Sequence, residues 1–133
     1  IDTKYIPIEI TESLALANKQ IKPIADKFIS VGFMLHMDDF GSGESALNGL
    51  NMMHFTVVKL DKSLIDFIGQ KNGNLILDYA MALGKELGVK LVAEGVETLK
   101  QLDFLRAHHC DFIQGYYFSK PLPLDEFEAK LDA

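Results

Sequence analysis

Residues 74–94 read NLILDYAMALGKELGVKLVAE and contain one helix followed by one strand. Apolar residues recur at helical spacing and predict one inward face, made of Leu75, Ile76, Tyr79, Ala80, Leu83 and Leu87. Gly88 is typical of a helix end, and the apolar run 89–93 predicts a short strand. Glu94 then places a carboxylate at the end of that strand.

The same alternation extends along the chain in both directions. Strands are predicted at 5–10, 33–37, 55–60, 89–93 and 111–113. Helices are predicted at 11–28 with Thr11 as the N-cap, and at 45–52, 74–87, 98–108 and 124–131. No hairpin turn joins two strands, so five βα units with parallel strands are expected in an α/β fold. An open sheet suits 133 residues, whereas a closed eight-stranded barrel takes about 250.

Composition narrows the function classes. The net charge of −6 argues against binding to polymeric nucleic acid or to an anionic membrane. Apolar stretches are interrupted by Asp78 and Lys90, well short of the roughly 18 residues that a membrane span needs. One cysteine, Cys110, fits a reducing compartment, which predicts a cytoplasmic location. The first residues contain neither an initiator Met nor a signal sequence, and we expect an internal cut there.

Polar side chains stand at or near the end of every predicted strand. They are Glu9, Asp38, Asp39, Lys59, Glu94 and Gln114. The carboxyl ends of parallel strands share one rim, where ligands bind. Carboxylates gathered there need cations, and oxygen ligands in this number suit Mg²⁺ or Mn²⁺. Two such ions can assist the hydrolysis of a phosphodiester.

Two of these positions need special geometry. Asp38 and Asp39 cannot both face one site from a regular strand, because side chains alternate. We expect Phe40-Gly41-Ser42-Gly43 to supply the bend that lets them do so. Lys59, inside an apolar strand, needs a counter-charge and could balance the carboxylates, bind phosphate or hold a water molecule.

Five ordered motifs resemble those of the EAL-domain family of cyclic-di-GMP phosphodiesterases. They are Glu9-Ile10-Thr11-Glu12-Ser13, Asp38-Asp39-Phe40-Gly41-Ser42-Gly43, Lys59-Leu60-Asp61-Lys62-Ser63, Val92-Ala93-Glu94-Gly95-Val96-Glu97-Thr98 and Gln114-Gly115-Tyr116-Tyr117-Phe118-Ser119-Lys120-Pro121. The resemblance implies a modified (β/α)₈ barrel that hydrolyses cyclic-di-GMP to linear pGpG with two Mg²⁺ or Mn²⁺ ions.

The resemblance also implies a role for each matching residue. Glu9, Asp38 and Asp39 are similar to metal ligands of the family, and Lys59 to the lysine that positions the attacking water. Glu94 resembles a glutamate proposed as the general base or as part of the metal shell. Glu12 resembles the residue that braces the loop after the aspartate pair, a loop that lies at the family's dimer interface. Gln114 resembles the glutamine of the final strand that supports the site.

The family's Glu-Ala-Leu motif and an asparagine ligand do not occur in this sequence. The chain therefore resembles the C-terminal portion of one EAL domain, a partial (β/α)₈ barrel over residues 1–133. We expect little turnover from it alone. We also expect an exposed edge at residues 5–10, covered in a homodimer, by a swapped arrangement or by the complementing N-terminal half.

Other interpretations compete with the phosphodiesterase. A degenerate EAL-like domain could be a cyclic-di-GMP receptor or a protein-interaction module, and a metal-dependent enolate enzyme would also use Lys59 and the acids. Asp39-Phe40-Gly41 matches a kinase magnesium motif, but the other kinase motifs are missing. His108-His109-Cys110 lacks the spacing of a zinc site.

Overall fold

The computed structural model describes residues 1–42, 50 and 53–133. Within this part of the chain, five parallel strands lie in the order β1-β2-β3-β4-β5, which confirms the predicted α/β fold. The strands are β1 (Ile8–Thr11), β2 (Leu35–Phe40), β3 (Val57–Leu60), β4 (Lys90–Ala93) and β5 (Phe112–Ile113). The helices are α1 (Glu12–Ala17), α2 (Ile21–Ser30), α3 (Lys62–Ile65), α4 (Lys71–Leu87), α5 (Leu99–Ala107) and α6 (Leu124–Leu131).

The first strand starts later than predicted. Residues Thr3–Tyr5 form a 3-10 turn in which the Asp2 side chain accepts a hydrogen bond from the Lys4 N–H. Pro7 has no N–H for a strand ladder, and pairing begins when Ile8 donates to the Met34 carbonyl. The prediction of a strand over 5–10 is therefore wrong at its beginning.

The single helix predicted over 11–28 is two helices, α1 and α2. Thr11 is the N-cap of α1, as predicted, and its hydroxyl accepts from the Leu14 N–H. After α1, Asn18 has an extended backbone and its side chain accepts from the Gln20 N–H at 2.9 Å. This local bond competes with the helix and ends it. Most of the helix predicted at 45–52 lies outside the described residues.

The core lies between the sheet and its helices, and alternation along each strand separates core from site. On β3, Val58 and Leu60 are buried in the core, whereas Lys59 points to the opposite face of the sheet. On β2, Met37 is in the core, and Asp38 faces the same side as Lys59. The sheet thus has one apolar face under the helices and one face that carries charge.

Helix α4 packs with a different face from the one predicted. Its buried residues are Gly73, Leu77 and Gly84. Four residues of the predicted inward face are exposed: Leu75, Ile76, Tyr79 and Leu87. Among the described helices, none is long and apolar enough to cross a membrane.

Candidate functional site

Lys59 is the centre of a charged cluster on the polar face of the sheet. Its side chain is only 13% exposed, and its Nζ lies 3.0 Å from Glu9 Oε1 and 3.0 Å from Glu94 Oε1. The same Nζ lies 3.2 Å from Asp38 Oδ1. The parallel register places β1 beside β2, β2 beside β3 and β3 beside β4. Four consecutive strands therefore contribute one charged residue each to a common point.

Asp38 and Asp39 both reach this region because the strand is irregular there. The pairing of β2 with β3 shifts register between Met37 and Phe40, and Asp39 has a left-handed backbone, with φ 57°. The expected bend is present at Gly41, which has φ 92° and lies in a turn closed by the Ser42 N–H donating to the Asp39 carbonyl at 3.1 Å, but the irregularity already begins at Asp39, inside β2. A carboxylate oxygen each from Asp38, Asp39 and Glu94 lies within 4.8 Å of the others.

The cluster changes the acid–base chemistry of its members. Burial lowers the pKa of Lys59, but the ion pairs with the carboxylates of Glu9, Glu94 and Asp38 outweigh it and hold this pKa above its usual value. Burial raises the pKa of Glu94 above its ordinary value, and Lys59 opposes that shift. The pKa of Asp39 is raised by burial and then by the charge of Asp38. Lys59 is thus a permanent cation at neutral pH, beside carboxylates that hold protons more tightly than usual.

The donor set fits a divalent cation. Asp38 Oδ1 is buried and, although close to Lys59, has no aligned hydrogen bond among the described residues. It lies beside oxygens of Asp39 and Glu94, and three carboxylate oxygens in one place are typical ligands of Mg²⁺ or Mn²⁺. Glu9 is joined to the cluster through Lys59.

Glu12 lies at the start of α1 and is buried. Its Oε2 accepts a hydrogen bond from the Gly41 N–H at 3.1 Å, which ties the end of β1 to the turn after the aspartate pair. Its Oε1 has no hydrogen-bond partner within the described ranges. The contact fixes where the chain leaves Asp39.

Within the described residues, the Gln114 side chain makes no hydrogen bond or ion pair with the charged cluster. The residue is exposed, and its backbone N–H donates to the Ala93 carbonyl at 2.8 Å. Its own carbonyl accepts from the Val96 N–H at 3.1 Å. Gln114 therefore connects β5 to the segment around Glu94 through its backbone.

Two further residues near the cluster were not among the predicted site residues. Asp61 caps α3 by accepting from the Ser63 N–H, and its charge contributes to the raised pKa of Asp39. Its position two residues after Lys59, at a strand end, was the available signal. The second is His36, which shares a face of β2 with Asp38 and whose Nε2 is buried without a hydrogen-bond partner among the described residues. Burial lowers the pKa of His36.

The EAL domain family model matches residues 1–121. The chain is 39% identical over 131 residues to the cyclic di-GMP phosphodiesterase NbdA of Pseudomonas aeruginosa, covering 97% of this chain and 17% of NbdA.

Solved structures give the same result in three dimensions. The EAL enzyme Bd1971, with cAMP and cyclic-di-GMP bound, superposes with a TM-score of 0.92 at 27% identity, over 98% of this chain and 35% of that one. The manganese and cyclic-di-GMP complex of BlrP1 from Klebsiella pneumoniae superposes with a TM-score of 0.86 at 29% identity, over 91% of this chain and 31% of that one. The chain thus spans about a third of these two proteins or less.

Proposed function

Since this chain belongs to the EAL domain family, we propose that it is the C-terminal portion of a domain that hydrolyses cyclic-di-GMP to linear pGpG with two Mg²⁺ or Mn²⁺ ions. One observation carries the proposal: Lys59 Nζ lies within 3.2 Å of carboxylates on β1, on β2 and just after β4, at the charged rim of the sheet. This rim is where parallel α/β folds bind their ligands.

The ligands proposed for the ions are Glu9, Asp38 and Asp39, with Glu94 beside them. Divalent cations bound there would activate the attacking water and neutralise the charge that develops on the leaving 3′ oxygen. Oxygens of Asp38, Asp39 and Glu94 lie within 4.8 Å of one another, and Glu9 is joined to this group through Lys59.

Lys59 and Glu94 are proposed as the catalytic pair. The Lys59 ammonium would donate a hydrogen bond to the attacking water and orient it. Glu94, whose pKa is raised by burial, would accept the proton as the water oxygen bonds to phosphorus and the P–O3′ bond breaks. The leaving 3′ oxygen would take up a proton from solvent, so that the product has a 5′ phosphate and a 3′ hydroxyl.

Glu12 and Gln114 are proposed to support the site. The bond from Gly41 to Glu12 would hold the loop after Asp39 in place. Gln114 would support the site from the last strand, where its backbone bonds anchor the chain beside Glu94.

A complementing segment is proposed to complete the barrel. In the described part of the chain β1 and β5 are the two edges of the sheet, and apolar residues near them, Tyr5, Ile6, Phe112 and Tyr116, are exposed. Unpaired edges with apolar flanks favour the addition of further strands. We therefore propose that the N-terminal half of the domain pairs there and that the isolated chain has little turnover, with a homodimer as the competing arrangement.

The net charge and the single thiol bear on the cellular location and on the binding partner. We propose a cytoplasmic protein whose partner is cyclic-di-GMP rather than polymeric nucleic acid or a membrane surface, because the net charge is −6 and the single cysteine is free.

The test is to measure pGpG formation from cyclic-di-GMP with Mg²⁺ or Mn²⁺, using this chain alone and together with the N-terminal half of the domain. We expect turnover only in the second case, reduced at least about a hundredfold in Glu94→Gln. Asp26→Asn, a similar change in an exposed ion pair, is the control and should retain full activity.

Three results would contradict parts of this proposal. Turnover by the isolated chain would show that no complement is needed. Unchanged activity in Glu94→Gln would remove Glu94 from the mechanism. Tight binding of cyclic-di-GMP without pGpG, in the complemented protein, would establish the receptor instead.

A further inference from the structure

The segment that follows Glu94 is held firmly on two sides. Gly95 has φ 72°, and a Cβ at this position would lie 2.6 Å from Lys62 Cγ, so a side chain is excluded there. Val96 is buried, its N–H donates to the Gln114 carbonyl, and its carbonyl accepts from the Tyr117 N–H. The backbone conformation just after Glu94 is therefore constrained by contacts on both sides.

One buried side chain, Gln101, closes this segment. Its Oε1 accepts from the Glu97 N–H at 2.9 Å and from the Thr98 N–H at 3.0 Å. In return, the Thr98 hydroxyl accepts from the Gln101 N–H at 3.2 Å, which makes a capping box at the start of α5. The oxygen of Gln101 thus fixes the last two residues of the segment.

The nitrogen of the same amide points to another element. Gln101 Nε2 donates to the Ile65 carbonyl at 3.4 Å and to Asp66 Oδ1 at 3.5 Å. Ile65 ends α3, the helix that starts three residues after Lys59. Gln101 therefore bridges the segment after Lys59 and the segment after Glu94, although it touches neither residue.

The capping box does not need the amide nitrogen of Gln101, whereas the hydrogen bonds to Ile65 and Asp66 do. A capping box is satisfied by glutamate as well as by glutamine, since both offer the oxygen that the two N–H groups need. Only glutamine also offers donors to the Ile65 carbonyl and to Asp66. A glutamine at this buried position is therefore explained by its hydrogen bonds to the end of α3.

We propose that Gln101 is a positioning residue that sets Glu94 relative to Lys59 and thereby sets the affinity of the site for divalent cations. This inference rests on the proposed function for its catalytic meaning, but its test rests on cation binding. Groups that orient metal ligands change metal affinity about ten- to a hundredfold, and a residue that acts through the backbone should change it less.

The discriminating variant is Gln101→Glu, which keeps the oxygen for the capping box and replaces the amide donor by a second carboxylate beside Asp66. We expect a folded protein whose Mn²⁺ affinity falls about three- to tenfold by calorimetric titration. In the complemented enzyme, kcat should fall while KM stays nearly constant. Adding Asp66→Asn, which supplies a donor to the new carboxylate, should restore most of the affinity.

Thr98→Ala is the matched control. It removes the cap hydroxyl and should cost about 1 kcal/mol of stability, but it leaves the bridge to α3 in place. Its Mn²⁺ affinity should equal that of the parent chain. Gln101→Asn, an uncharged amide too short for the bridge, should weaken Mn²⁺ as well and serves if Gln101→Glu does not fold.

The outcomes separate this inference from the proposed function. Parent-like Mn²⁺ affinity in the folded Gln101 variants overturns the positioning role, and so does an equal loss of affinity in Thr98→Ala. Mn²⁺ binding that responds to Gln101, in a complemented protein that forms no pGpG, supports the positioning role and contradicts the phosphodiesterase.

Discussion

The sequence pattern predicts the charged rim of the sheet correctly, but it predicts the wrong buried face for α4. At the rim, Lys59 lies within 3.2 Å of three carboxylates that come from distant parts of the chain. On α4, four of the six residues predicted to be buried are exposed, including Ile76 at 51% and Tyr79 at 77%, whereas Ala80 packs against the core. Parallel topology alone brings strand ends together, whereas the face that a helix buries depends on how closely its backbone can approach the sheet.

Small residues decide the packing of α4. A Cβ on Gly84 would lie 2.8 Å from the Leu91 side chain on β4, so this helix approaches the sheet more closely than a larger residue would permit. Hydrophobic periodicity gives weight to large apolar residues and none to glycine, and it therefore selected the wrong stripe. The helix itself was predicted because several apolar positions repeat at helical spacing.

The largest effect is expected from the adjacent residues Leu77 and Ile76. Leu77 is fully buried on the glycine face, so Leu77→Ala should lower the free energy of unfolding by about 2–5 kcal/mol. Ile76→Ala removes a half-exposed side chain and should cost less than about 1 kcal/mol. Urea unfolding of both variants measures the difference. A larger loss for Ile76→Ala would mean that the sequence-predicted face is the buried one after all.

A smaller effect is expected at the rim. Lys59→Met keeps the length of the side chain but leaves the carboxylates without their cation, and it should cost about 2 kcal/mol at pH 7. The deficit should shrink as the pH falls, because protonation of Glu94 and Asp39 relieves their repulsion. Lys22→Met breaks an exposed pair with Asp26 and should cost under about 0.5 kcal/mol. Equal losses in urea unfolding for the two lysines would contradict the central role of Lys59.

Most strands and helices could be predicted from the sequence, because short apolar runs followed by carboxylates indicate strands and a glycine after an apolar repeat indicates a helix end. The exceptions have physical causes. Pro7 delays β1, and the side chain of Asn18 interrupts a continuous apolar pattern. At the site, the approach of Lys59 to the acids was anticipated from its need for a counter-charge. The left-handed Asp39 was not, because aspartate tolerates that conformation but adopts it in only a small fraction of its occurrences, so its presence in a strand does not predict it.

A third prediction concerns pH and cation binding at the rim. The raised pKa values of Glu94 and Asp39 mean that the folded, metal-free protein binds protons more tightly than the unfolded chain does. The contribution of these two carboxylates to the free energy of unfolding should therefore decrease as the pH rises from about 4 through their pKa values. Mn²⁺ affinity should rise over the same range, by at most about tenfold per pH unit for each proton displaced.

Titrations of Mn²⁺ at a series of pH values, together with unfolding at the same values, measure both trends. Glu94→Gln should flatten both curves. A cation affinity that is already maximal at pH 4 would contradict the raised pKa values.

The smallest change in stability, and the sharpest contrast, is expected for Asp39→Asn. Asparagine tolerates the left-handed backbone as well as aspartate does, so the turn in β2 should remain. The substitution removes a carboxylate whose pKa is raised by burial and by Asp38, and the unfolding free energy at pH 7 should therefore increase by less than about 1 kcal/mol. Mn²⁺ affinity should nevertheless fall at least about tenfold, because one of three clustered carboxylates is lost.

Thermal unfolding and Mn²⁺ titration of the same Asp39→Asn sample measure the two effects. A variant that is less stable and binds Mn²⁺ normally would show that Asp39 serves the strand rather than the site, and the rim would then resemble α4 as a region where the sequence pattern misleads.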